Sequence, residues 1–161
     1  MSEIIKVGMA DLKLVKTPHS IRTSGLGSCV GIVIYDSANG IAGMAHIMLP
    51  DSLNGKAVQN RAKYADTAIH DLITLLVDKG AKKRQLKAKM AGGAQMFTFA
   101  KANEMMRIGP RNVEAVRNIL EKEQIQIVSE DVGGKSGRTI EFFPSTMVLN
   151  IRTVQKGTKD I

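Results

Sequence analysis

The chain reads as one α/β domain, α+β in character: a mixed, largely antiparallel sheet system carrying two main helices. Three observations lead there. The 161 residues suit a single domain and are short for two. The apolar and β-branched runs are short and come in hairpin-like pairs, without strict β-α-β alternation. Two longer segments instead repeat their apolar residues at steps of three and four.

In chain order, Ile4–Met9 and Leu12–Val15 read as strands broken at Ala10-Asp11, and Thr17-Pro18-His19-Ser20 as a loop. A glycine-rich segment, Thr23–Val30, follows. Val30–Tyr35 is a β-branched strand, Asp36–Gly40 a turn by composition, and Ile41–Leu49 a second strand stopped by Pro50. Ser52–Lys56 is polar loop. A helix is expected from about Gln59 to Lys79, with Ala62, Ala65, Ile69, Leu72, Ile73 and Leu76 on one stripe and Gly80 ending it. Leu86–Met90 reads as a strand broken by Gly92-Gly93, and Ala94–Lys101 is ambiguous. Pro110 sits at the start of a second helix running to about Glu123, with Val113, Val116 and Leu120 on one face. Ile125–Ser129, Arg138–Phe143 and Thr146–Val154 complete the strands. Val132–Gly137 is loop, and residues 155–161 read as a frayed polar tail. The whole of 1–161 is treated as one domain.

Composition narrows the function classes. A single cysteine cannot form an internal disulfide or a cysteine-based zinc site, which fits a reducing, cytoplasmic setting. No targeting segment and no apolar run of membrane-spanning length is visible, so membrane insertion is not expected. The net charge of +8 suits an acidic partner. Aromatics are only 4% with no tryptophan, which leaves few stacking platforms for nucleic acid and favours an acidic protein surface. No sustained heptad appears, so a monomer is expected.

The hairpin Val30–Leu49 holds the chemistry. If its turn is Asp36–Asn39, Tyr35 faces Gly40, and Cys29 then lies directly opposite His46. Parity places Cys29, Gly31, Val33 and Tyr35 on one face with Gly40, Ala42, Met44, His46 and Met48. Val30, Ile32, Ile34, Ile41, Ile47 and Leu49 take the other. The first face is lined by small residues and methionines, which is read as leaving room above it. A neighbouring imidazolium can lower a thiol's pKa and later protonate a leaving amine. Backbone N–H groups around Ser28-Cys29 can meet a developing oxyanion, and Gly25 and Gly27 let that backbone approach a substrate.

Each of these residues also has a plainer reading. A lone cysteine is ordinarily a small buried hydrophobe, and a histidine in an apolar strand is ordinarily a satisfied core group. Gly25-Leu26-Gly27 can be a turn, and it lacks the following helix that a phosphate cradle needs. His19 reads as loop surface and His70 as solvated helix. Lys82, Lys83, Arg84, Lys87 and Lys89 read as a solvated basic edge.

Taken as a set, several segments resemble the chemoreceptor glutamine deamidase family, CheD. They are Thr23-Ser24-Gly25-Leu26-Gly27-Ser28-Cys29-Val30, Gly43-Met44-Ala45-His46-Ile47-Met48-Leu49-Pro50 and Lys63-Tyr64-Ala65-Asp66. Gly92-Gly93-Ala94-Gln95-Met96, Ile108-Gly109-Pro110-Arg111-Asn112 and Asp131-Val132-Gly133-Gly134 with Gly137-Arg138 follow in order. The resemblance implies a three-layer sandwich and hydrolysis of glutamine side chains on the cytoplasmic helices of methyl-accepting chemoreceptors. It implies Cys29 as nucleophile, His46 as general base and acid, Thr23 as the group that orients His46, and no metal or organic cofactor. Some family members also bind the phosphatase CheC, which can regulate deamidation. Three other readings stay open: a docking module with a dispensable Cys29, transamidation by the same dyad, and nucleic-acid binding.

Overall fold

The computed structural model describes residues 2–53, 59–95 and 107–161. Met96, Lys56 and most of Ala94–Lys101 therefore lie outside the described residues. Within them the chain forms β1 (Ile4–Val7), β2 (Leu12–Lys16), β3 (Ser20–Leu26), β4 (Val30–Asp36), β5 (Ile41–Ile47), α1 (Ala65–Asp78), β6 (Lys87–Gly92), α2 (Ile108–Lys122), β7 (Gln126–Val132), β8 (Arg138–Phe143), β9 (Val148–Thr153) and β10 (Gly157–Asp160).

Two five-stranded sheets stack with the helices to give three layers. The outer sheet runs β1-β3-β8-β9-β10 and the middle sheet β2-β5-β4-β6-β7. Among the described strands only β1–β3 and β6–β7 pair in parallel; the other strand pairings are antiparallel, as expected of a mixed, largely antiparallel system. The middle sheet is covered on both faces. Val30, Ile32, Ile34, Ile41, Ala45, Ile47, Ala88 and Met90 pack against Ile69, Leu72 and Leu76 of α1 and Val113, Val116 and Leu120 of α2. Its opposite face, with Cys29, Val33, Tyr35, Ala42 and Met44, packs on Val7, Ile21, Ile140, Phe142, Leu149 and Ile151 of the outer sheet. The period-two alternation of β4 and β5 therefore sorts residues between two cores and leaves neither face to solvent.

Several elements differ from expectation. β3 is a full strand where the sequence carries apolar residues only at Ile21 and Leu26, with small and polar residues between them. It gains its place by pairing with β1 on one side and β8 on the other. Residues 157–160 are not frayed: they form an edge strand on β9, and the Ile161 N–H and C=O both bond Leu149. The first helix starts later than expected. Arg61–Lys63 make a separate 3₁₀ turn, because Tyr64 is extended and bridged to Leu49. Its C-terminus closes as predicted: Gly80 (φ 107°) donates to Val77 O and Ala81 to Leu76 O, the paired bonds of a Schellman end. Lys89 is not part of a solvated edge. It is buried between the sheets and donates to the carbonyls of Met147 and Ile161.

The β4–β5 register is displaced by two residues from the expected one: Tyr35 lies opposite Ala42, and Gly31 opposite His46. The cause is Asp36. Its carboxylate accepts from Asn39 Nδ2 (2.7 Å) and from the Lys82 N–H (3.0 Å), so Asp36 closes the ladder against Ile41. The turn is Ser37–Gly40, with Gly40 at φ 63°. A shift of two keeps parity, so Cys29 and His46 still share a face.

Candidate active site

Cys29 lies just before β4, at the open end of the hairpin, and His46 is the penultimate residue of β5. Counting the observed register one step beyond β4 sets Cys29 against Met48, which makes His46 its diagonal neighbour. Thr23 reaches the same spot from β3, across the gap between the sheets. The expected room above this face is filled by the outer sheet: His46 is 0% exposed, Thr23 2% and Cys29 8%. The small residues serve close packing instead. A Cβ on Gly31 would stand 2.5 Å from Ile140 Cδ1. Among the described residues, the thiol is reached from the margin where Cys29 emerges.

Hydrogen bonding fixes the imidazole. Thr23 Oγ1 lies 2.8 Å from Val7 O and 2.7 Å from His46 Nδ1. A carbonyl oxygen can only accept, and the hydroxyl has one proton, so Thr23 donates to Val7 and accepts from Nδ1–H. Nδ1 is then the protonated nitrogen, and Nε2 carries the lone pair. Nε2 is buried and has no partner among the described residues, Cys29 Sγ included. Catalytic contacts are often long before substrate arrives.

Burial alone shifts both groups. It pushes the Cys29 thiol above its ordinary value and the His46 imidazole below its own. Both directions favour the uncharged forms, a neutral thiol and a neutral imidazole, over a thiolate–imidazolium pair.

The glycine-rich approach to Cys29 is a bulged strand end. Gly25 (φ 73°) sits where the β3–β8 pairing shifts register, and its carbonyl accepts from the Gly27 N–H at 3.1 Å. That N–H is therefore committed. Those of Ser28 and Cys29 are bonded to no acceptor among the described residues.

Sequence reasoning missed what holds this turn. Ala94 N donates to Gly27 O (2.9 Å), Asn112 Nδ2 to Ser28 O (3.0 Å) and Gly93 N to Cys29 O (2.8 Å). Three successive carbonyls are thus captured from outside. Composition reads Gly92 and Gly93 as a strand break, and the family resemblance includes them without giving them a role. A Cβ on Gly92 would stand 2.3 Å from Cys29 O, so only glycine lets β6 close on the cysteine backbone. Their pairing in sequence was the available signal. Gly92 is also tied to Arg138, whose Nη1 donates to its carbonyl. His19 and His70 lie away from the site: His19 Nδ1 accepts from the Glu3 N–H, and His70 is an exposed residue of α1.

Among the described residues no helix is long and apolar enough to cross a membrane. Residues 48–153 match the family model described as CheD chemotactic sensory transduction. A Halalkalibacterium halodurans protein named chemoreceptor glutamine deamidase CheD is 62% identical, with all of both chains covered. The Bacillus subtilis protein of that name is 55% identical over 98% of this chain and 96% of its own. A crystal structure of a Neisseria meningitidis protein matches with a TM-score of 0.54 at 9% identity, covering 82% of this chain and 64% of that one, a likeness of fold alone. By the family model and by relatives of this identity along their whole length, the chain belongs to the CheD family.

Proposed function

We propose that this protein hydrolyses selected glutamine side chains on chemoreceptor cytoplasmic helices to glutamate and ammonia, with Cys29 as nucleophile, His46 as base and acid, and Thr23 holding His46. The observation that carries the reading is the Val7–Thr23–His46 chain of hydrogen bonds. It leaves a bare, buried Nε2 on the face that Cys29 shares. The activity itself follows from the names of the relatives.

The chemistry starts from the neutral pair. Nε2 takes the thiol proton as sulfur bonds the carboxamide carbon, and the carbonyl π pair moves onto oxygen. The Ser28 and Cys29 N–H groups meet that oxyanion. Collapse breaks the C–N bond, the imidazolium proton goes to the leaving nitrogen, and ammonia departs from a thioester. Water attacks next, giving its proton to Nε2, and the C–S bond breaks to release glutamate and the restored thiol. Making the ion pair only with substrate bound suits a dry site, because the developing charges then face fixed dipoles in place of bulk water. The net charge of +8 suits docking on a helix rich in carboxylates, and a phosphatase such as CheC would compete for the same margin.

The test is a receptor cytoplasmic fragment incubated with the protein and read by peptide mass spectrometry for Gln-to-Glu conversion. Wild type converts specific glutamines, and Cys29→Ala binds the fragment without converting it. Conversion by Cys29→Ala would end the nucleophile assignment. Binding without conversion by wild type would make the protein a docking module.

A further inference from the structure

We propose that Asn112 is a positioning residue for deamidation, aiming the Cys29 N–H at the oxyanion. The proposal rests on the reading of Cys29 as nucleophile. Asn112 lies on the first turns of α2, is 0% exposed, and spends both amide hydrogens on main-chain carbonyls: Ser28 O and Met48 O, each at 3.0 Å. Both targets accept only, so the amide orientation is set with Nδ2 toward them. Oδ1 is left buried with no partner among the described residues, a cost set against the two donated bonds.

The two carbonyls flank one place. Met48 stands across the ladder from Cys29, and Ser28 immediately precedes it. Asn112 therefore ties the nucleophile turn to the exit of the His46 strand at the point where the hairpin opens. The peptide unit between Ser28 and Cys29 is planar and trans, so its C=O and N–H point oppositely. Drawing the carbonyl toward α2, in the helix layer, turns the Cys29 N–H toward the other side of the middle sheet. His46 and the Cys29 side chain lie on that side. Ala94 does the same for the preceding unit by holding Gly27 O, which turns the Ser28 N–H away from β6.

Two glycines bring the helix close enough for this. A Cβ on Gly109 would lie 2.3 Å from Ala94 O, and one on Gly93 would lie 2.3 Å from Val113 Cγ2. The first turn of α2 thus rests directly on the chain that grips Gly27 and Cys29.

The test separates two reactions of one thiol. Deamidation builds an oxyanion, whereas alkylation by iodoacetamide at its methylene carbon builds none. Asn112→Leu, Asn112→Ser and Asn112→Asp are compared with wild type by kcat and KM on a receptor fragment, by the alkylation rate of Cys29, and by thermal unfolding. The expected result in every variant that folds is kcat down by roughly 10- to 100-fold, below the 10²–10³ for outright loss of one oxyanion donor. KM and the alkylation rate stay within about twofold, since neither uses that donor. Equal loss in both reactions, unchanged kcat, or failure of all three variants to fold would each overturn the proposal. If wild type and Asn112 variants alike show no conversion, the deamidase reading itself has failed and this one falls with it.

Discussion

The two faces of the middle sheet are built from the same alternating strands and put to different use. Toward the helices, β4, β5 and β6 present apolar side chains interlocked with α1 and α2, with the buried Asp36 carboxylate at the end of β4 satisfied by Asn39 and Lys82. Toward the outer sheet the same strands present Val33, Tyr35, Ala42 and Met44, but also His46 and Lys89, with Thr23 facing them from β3. The first face accounts for stability by hydrophobic burial. The second buries polar groups, each of which needs a partner. Lys89 is satisfied by two carbonyls, and Thr23 by Val7 and His46. On this face, at the hairpin's open end, Nε2 of His46 is left without a partner among the described residues. Buried polar groups ordinarily find partners, so an unpaired lone pair on the face that Cys29 shares marks a place where the layer's order serves chemistry.

The largest expected effect comes from uncoupling that polar chain. Thr23→Val keeps the volume and removes the hydroxyl, so Val7 O loses a donor and His46 Nδ1–H an acceptor. Stability should fall by about 1–3 kcal/mol, the usual cost of orphaned buried groups. The value of kcat should fall by roughly 10- to 100-fold, a part of the 10²–10⁴ that general acid–base catalysis supplies. Thr23→Ser, which keeps the oxygen, should recover most of the rate. Denaturant unfolding with steady-state kinetics checks both. A Thr23→Val enzyme with wild-type kcat would show that the outer sheet only covers His46 and does not orient it.

A matched pair of glycines sharpens the contrast between faces. Gly31 lies opposite His46 and faces the outer sheet, where an added Cβ would stand 2.5 Å from Ile140 Cδ1 and 3.2 Å from Leu26 Cδ1. Gly43 faces the helices, where a Cβ would stand 2.5 Å from Leu72 Cδ1 and 2.8 Å from Leu14 Cδ2. Both alanine variants overpack and should each lose about 1–3 kcal/mol of stability. Only Gly31→Ala pushes on the layer that registers Thr23 against His46. Its kcat should drop about tenfold, because sub-ångström misplacement is costly in catalysis, whereas Gly43→Ala should keep the wild-type kcat in its folded fraction. Equal kcat values for the two would erase the functional difference between the faces.

What the sequence shows follows the same division. The helix-facing core was legible from local periodicity, because Val30, Ile32 and Ile34 alternate and Ile69, Leu72 and Leu76 repeat at helical steps. Parity alone put Cys29 and His46 on one face. Their register was not legible, since it depends on Asp36 meeting Lys82, well beyond the turn. β3 hid because Arg22, Thr23, Ser24 and Gly25 carry no strand pattern. Its burial comes from Val7 on one side and Ile140 on the other, the latter more than a hundred residues away. β10 hid because Gly157–Asp160 carries no apolar residue, and it is held by main-chain pairing to β9. Asn112 was the hardest: a polar residue near a helix start reads as solvated, and its partners lie 84 and 64 residues away. Thr23 was reached only through family resemblance.

The smallest expected effect lies in pH dependence, and it tests whether the sheet-facing layer is as dry as the helix-facing one. Burial holds the Cys29 thiol above its ordinary 9.0 and the His46 imidazole below its ordinary 6.5. Alkylation of Cys29 by iodoacetamide should therefore keep rising about tenfold per pH unit through pH 8, following the scarce thiolate. The value of kcat/KM should be level near neutrality and fall only below about pH 6.5, as Nε2 takes a proton from solvent. Stability should follow the imidazole. Below about pH 6.5 the unfolded chain binds a proton that buried His46 resists, so stability declines as pH falls from there toward the lowered folded value, by at most about 1.4 kcal/mol per unit. His46→Gln should lose that component and unfold with less acid sensitivity. An alkylation rate that stays flat from pH 8 down to pH 5 would mean a preformed thiolate–imidazolium pair. In that case water or a fixed charge reaches the hairpin's open end, and the two faces differ in polarity from the start, before any substrate binds.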